Sequence, residues 1–189
     1  TKISSSDINT SGIIIITNAS RGAIGEAVPL SEETKSWILG NRQTVNALER
    51  RNVKPWLVRE LNPDVPYDIS NLNIIPKSLM KGGNKDMENL GIVMTMNKTK
   101  IGYLGDTCVR GTFENIQIDI LFVPIGGGDT VLDVKDAVSL TVDISPKIVI
   151  PFGGNVTDSE KFERYMRQFH EQTEPVILKE GESIEISWP

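Results

Sequence analysis

The side chains able to do chemistry collect where apolar runs end. Ile13–Thr17 runs into Asn18-Ala19-Ser20-Arg21-Gly22-Ala23, and Ile101–Leu104 runs into Gly105-Asp106-Thr107-Cys108. Ile118–Val123 leads to Pro124-Ile125-Gly126-Gly127-Gly128, and Lys147–Ile150 leads to Pro151-Phe152-Gly153-Gly154-Asn155. Asp106 could serve as a general acid or base; the simpler expectation is that its carboxylate closes the Gly-Asp-Thr turn by accepting backbone N–H groups. Cys108 could be a nucleophile if a cation such as Arg110 lowered its pKa. With no histidine base nearby, a small buried hydrophobe is the expected role. Ser20 beside Arg21 has no base partner that can be named. Gly126, Gly127, Gly128 and Gly154 could cradle an anion through backbone N–H groups, or could simply permit tight turns. Asp129 and Asp133 oppose a strongly anionic ligand there. His170, the one histidine, is expected on a helix surface beside the stripe Phe162, Tyr165, Met166 and Phe169.

These turns need elements to hold them. The run Ile13–Thr17 is expected as a strand buried on both faces. Ser31 is expected to cap a helix from about Glu32, interrupted at Gly40-Asn41 and resuming to about Arg51, with Val45 and Leu48 on its buried side. Pro55, Pro63, Pro66 and Pro76 exclude long helices over 55–78, leaving short strands at 57–61, 67–69 and 72–75. The stretch 80–91 reads as a loop, and 92–96 with 100–104 as a hairpin turning at Asn97-Lys98. Further strands at 118–123 and 147–152 alternate with a helix over 133–144 and another capped by Thr157 or Asp158. Two strands around Glu180-Gly181 close the chain. Strands and helices in this order imply one layered α/β domain over residues 1–189.

Composition narrows the classes. The chain has 189 residues, a hydrophobic share of 39%, a charged share of 24% and a net charge of −5, the values of a globular protein. An acidic balance disfavours nonspecific nucleic-acid binding. The basic stretch Arg50-Arg51-Asn52-Val53-Lys54 is expected to cover a helix end. One cysteine excludes an internal disulfide. No run reaches the ~20 apolar residues of a membrane span, and no signal-like segment stands at the start. A cytoplasmic protein is therefore expected, and the Asn-x-Ser/Thr triplets at Asn9, Asn18, Asn97 and Asn155 are read as chance.

The four turns, in this order, resemble the metallo-β-lactamase superfamily, in the branch of the L-ascorbate-6-phosphate lactonase and related metal-dependent hydrolases. Gly105-Asp106-Thr107, Pro124-Ile125-Gly126-Gly127 and Pro146-Lys147-Ile148-Val149-Ile150-Pro151 carry the likeness most strongly. It implies an αββα sandwich. Thr1–Gly12 is too short for the family's opening hairpins, so the sandwich is expected to lack the first N-terminal strands, whether trimmed or naturally absent. A homo-oligomer is one way to cover the edge so exposed. The resemblance also implies a zinc site. Its histidines and first aspartate would fall at Asn18, Ser20, Gly22, Ala23, near Ser78 and at Gly153, and none of these is a histidine or an aspartate. Of the family ligands only Asp106 is kept. The expectation is thus a vestigial pocket formed by Asn18, Ser20, Gly22, Ala23, Ser78, Asp106 and Gly153, with no metal. It belongs to a non-catalytic protein that binds a small-molecule ligand or plays a structural part. The alternative is a hydrolase of lactones, esters or phosphodiesters with altered chemistry through Asp106. A nucleic-acid role, known among some relatives of the fold, is disfavoured by the pI near 5.0.

Overall fold

A computed structural model describes residues 8, 12–80, 82, 87–108, 113 and 115–186. Asn9, Arg110, residues 81 and 83–86 of the expected 80–91 loop and the end of the last expected strand lie outside the described residues. So does nearly all of the segment on which the expectation of absent first strands bears.

The all-isoleucine run forms β1 (Ile13–Ile16), which pairs in parallel with β2 (Trp37–Gly40), itself parallel to β3 (Val58–Glu60). Between β1 and β2 lie α1 (Arg21–Ile24) and α2 (Ala27–Thr34); α3 (Arg42–Glu49) joins β2 to β3. Here the helix expected from Glu32 is corrected. Ser31 sits inside α2, donating to Ser36 O at 2.7 Å, and Lys35 in the left-handed region ends the helix. Trp37-Ile38-Leu39-Gly40 is a strand because two parallel neighbours and two covered faces satisfy it, a burial that leaves no polar alternation to read. Asn41 does not merely interrupt a helix. Its Oδ1 accepts from Thr44 N at 2.8 Å and so starts α3. A Cβ at Gly40 would lie 2.7 Å from Thr44 Cγ2, so glycine lets that helix start against the strand ends.

The second sheet has seven strands in the order β10-β9-β8-β7-β6-β5-β4. They are β4 (Tyr67–Ile69), β5 (Leu72–Met80), β6 (Glu88–Met96), β7 (Thr99–Tyr103), β8 (Ile120–Pro124), β9 (Ile148–Phe152) and β10 (Glu174–Pro175). β5 and β6 extend well past the expected 72–75 and 92–96, pairing from Leu72–Met96 to Met80–Glu88. The helices α4 (Val134–Ile144) and α5 (Val156–Phe169) lie between strands. α5 is capped by Asn155, not by Thr157 or Asp158; Asp158 returns the bond as the third helical residue of a capping box. Around Glu180-Gly181 the described residues do not form the expected strand pair. Only Glu174–Pro175 joins the sheet there, and Lys179 N donates to Glu182 Oε2 to close a turn.

The layers follow from what each face buries. Ile16, Ile38, Val45 and Leu48 join β1–β3 to α1–α3, while Leu39, Ile74, Leu90 and Ile92 fill the space between the sheets. Leu121, Val123, Val149, Phe162 and Met166 join the second sheet to α4 and α5. The outcome is the helix–sheet–sheet–helix sandwich expected.

Candidate functional site

β1 ends by delivering Asn18, which is fully buried. Its Oδ1 accepts from Ser20 N at 3.1 Å, and Ser20 Oγ accepts from Ala23 N at 3.2 Å, capping the single turn of α1. Asn18 Nδ2 points the other way. It donates to Asn89 Oδ1 of β6 at 3.2 Å and to Asp106 Oδ2 at 3.3 Å. Asn89, 1% exposed, donates in turn to Leu104 O at 3.3 Å. Gly105, at φ +58°, leaves room for this amide, since a Cβ there would stand 2.8 Å from Asn89 Oδ1. Leu90 N donates to Thr17 O at 2.7 Å. One amide thus ties the end of the first sheet to the β7–β8 turn of the second.

Above this network lies a cavity of about 550 Å³ lined by Ile15, Ile16, Thr17, Gly22, Ala23, Tyr103, Asp106 and Phe152. Tyr103 and Phe152 stack at 5.1 Å and 9°, forming one wall. Burial, and after it the charge of Asp106, raises the Tyr103 phenol above its usual range. The phenol therefore stays protonated as a donor. Asp106 is the charged side chain among these lining residues.

The expected pocket residues are only partly brought together. Gly22, Ala23 and Asp106 line the cavity, and Asn18 and Ser20 build the turn beside it. Ser78 does not join them; it lines a separate cavity of about 210 Å³ with Asn41, Arg42, Glu60 and Asn89. Gly153, at φ +77°, turns the chain after Phe152. Gly126 and Gly127 line a third cavity of about 290 Å³ with Asp133, Lys135, Asp158 and Lys161. Gly126 packs close to the Gly153 carbonyl, and Gly154 against Ile125 and Asp158, while Gly128 has open space around it. Each neighbouring helix start already carries its own acceptor: Asp133 accepts from Asp136 N and Asn155 from Asp158 N.

Two side chains stand elsewhere than expected. Cys108 is exposed and not buried, because it follows the turn outward, its Sγ 3.8 Å from Met80 O. His170 ends α5 half-buried, with Nε2 shielded and unpartnered among the described residues; the helix terminates there, so its ring folds inward. Asn89 and Tyr103 escape a reading by turns, because both sit within strands; Phe152, at the head of the fourth turn, ends β9.

The β-lactamase superfamily domain matches residues 4–153. The chain belongs to the β-lactamase superfamily. Among superfamily relatives, a UPF0173 metal-dependent hydrolase of Natranaerobius thermophilus is 26% identical over 195 residues, covering 98% of this chain and 86% of the relative. Another from Thermococcus onnurineus is 26% identical over 188 residues, covering 92% and 81%. Igni18, a metallo hydrolase of Ignicoccus hospitalis, shares the fold with a TM-score of 0.82 at 16% identity, over 95% of this chain and 81% of that one. Among the described residues no three of His, Cys, Asp or Glu cluster as metal ligands do, and no helix is long and apolar enough to cross a membrane.

Proposed function

We propose that this superfamily member is non-catalytic, and that its cleft binds a small molecule without a metal ion. The observation that carries the reading is the Asn18 amide. Where a ligand nitrogen would offer a lone pair, Asn18 directs N–H toward Asp106 and Asn89. An N–H donor cannot ligate a cation. The donor set does not suit zinc or iron, which want several imidazoles with carboxylate. The chain has one histidine, His170, at the end of α5 in the outer helix layer. Asp106 with amide and hydroxyl neighbours offers only hard oxygen. Relatives carry metal-dependent hydrolysis in their names, so metal content is the deciding measurement. Protein purified without chelators is expected to hold far less than one equivalent of zinc, manganese or iron, and to melt at the same temperature with or without EDTA. A near-stoichiometric metal overturns the reading.

A second reading rests on Tyr103 lining the cavity with Asp106. A carboxylate base beside a protonated phenol could hydrolyse an activated lactone, ester or phosphodiester. Turnover of such a substrate, abolished in Asp106→Ala, supports it; silence across the panel removes it.

A further inference from the structure

Charge is unevenly shared along this acidic chain. Residues 35–59 hold six cations (Lys35, Arg42, Arg50, Arg51, Lys54 and Arg59) and one carboxylate, Glu49. That segment carries +5, and the rest of the chain carries −10. Arg42 stands at the cleft end of the sheet and pairs with Glu60 at 2.8 Å. Four more fall at the opposite end, because β2 and β3 are parallel and their incoming segments enter on the same side, and Arg59, within β3 beside Leu39, sends its side chain back toward that end. Lys35 precedes β2. Arg50, Arg51 and Lys54 lie between α3 and β3. Arg59 folds back over Trp37 at 4.7 Å and donates to Trp56 O at 3.1 Å. None of these five pairs with a carboxylate among the described residues; Lys35 and Arg50 donate to backbone carbonyls instead. Glu32, Glu33, Glu49 and Glu60 are the nearest acids along the chain, and Glu60 is taken by Arg42.

At the centre of this end, Pro55–Leu57 makes a 3-10 turn whose Trp56 is 62% exposed, with the Lys54 ammonium 5.4 Å from its ring. We infer that this edge of the first sheet is a docking surface for an anionic lipid membrane. An indole on a turn tip among cations suits the headgroup level, where its ring buries apolar area and its N–H stays wet. The cations meet the negative surface. A nucleic-acid strand fits less well, since it needs bare ring faces for stacking. Lys54 covers one face of Trp56, and Trp37 is held between Arg59 and the intersheet core.

Vesicle sedimentation tests the inference. The protein is expected to bind phosphatidylcholine vesicles containing phosphatidylserine, to ignore pure phosphatidylcholine, and to be released by salt, with a blue shift of tryptophan emission on binding. The triple variant Arg50→Ser, Arg51→Ser, Lys54→Ser should partition more weakly on the order of a hundred-fold. All three side chains are exposed, so its circular dichroism melt should match the parent. Trp56→Ala should remove the emission shift. No binding to anionic vesicles at low salt overturns the inference, as does equal binding by the triple variant. Salt-sensitive binding to a single-stranded oligonucleotide without lipid binding overturns it too, and reassigns the surface.

Discussion

Tyr103 reports on the cleft. Its phenol is half-buried beside Phe152 and faces the field of Asp106, and both effects oppose ionisation. Ultraviolet titration should find one tyrosine ionising above the usual value near 10, and Asp106→Asn should bring it part of the way down. A raised folded-state value means that the phenol's contribution to stability is complete below about pH 10 and fades as pH climbs through the folded-state value. An unchanged titration in Asp106→Asn would separate the two groups and weaken the hydrolase reading with them. The Gly105-Asp106-Thr107 turn was legible in the sequence because glycine and aspartate after a strand have few other uses. Asn89 was not. It falls in the stretch 80–91, whose composition reads as a loop, and nothing local says that this residue belongs to a strand whose amide meets Asn18 across the sheets.

Among the elements, helix starts were easier to find than to cap. Asn155 and Asp158 make a reciprocal pair, and sequence alone does not say which one precedes the first turn. Asn155→Ala should lower stability by about 1 kcal/mol, measured as a drop in urea midpoint with unchanged slope; a neutral substitution would mean that Asp158 caps unaided. Strands flanked by polar turns, such as β7 and β8, were plain. β2 was hidden because both its faces are covered, so Trp37–Gly40 lacks alternation and reads as the tail of the preceding helix. The closing strands failed for the opposite reason: the apolar runs Val176–Leu178 and Ile184–Ile186 around Glu180-Gly181 read as strands, yet among the described residues they gain no ladder partner beyond Val176 N to Val149 O at 2.9 Å.

For the whole molecule, the weak point in acid lies near the middle of the large sheet. Asp119, its side chain 13% exposed, accepts from Lys100 N at 2.8 Å and pairs with Lys147 Nζ at 2.7 Å. Burial alone would raise its pKa; the Lys100 N–H and the Lys147 ammonium outweigh burial and hold it below the usual range. A lowered value means that its stabilisation is present above the unfolded-state pKa near 3.8 and lost as pH falls through the folded-state value. Asp119→Asn should therefore cost about 1–2 kcal/mol near neutrality, with the two proteins converging in acid. A gap that persists at low pH would assign the loss to packing.

Three parallel strands in the first sheet give the molecule a head and a tail. They are short, with about 13 Å of rise along the four residues of β1 or β2 and less along the three of β3, and the Asp106 cleft opens beyond one end while Trp56 stands at the other. Anything that grips the indole end must leave the mouth of the cleft turned outward. Whatever enters it then arrives from open water and not from the surface beneath.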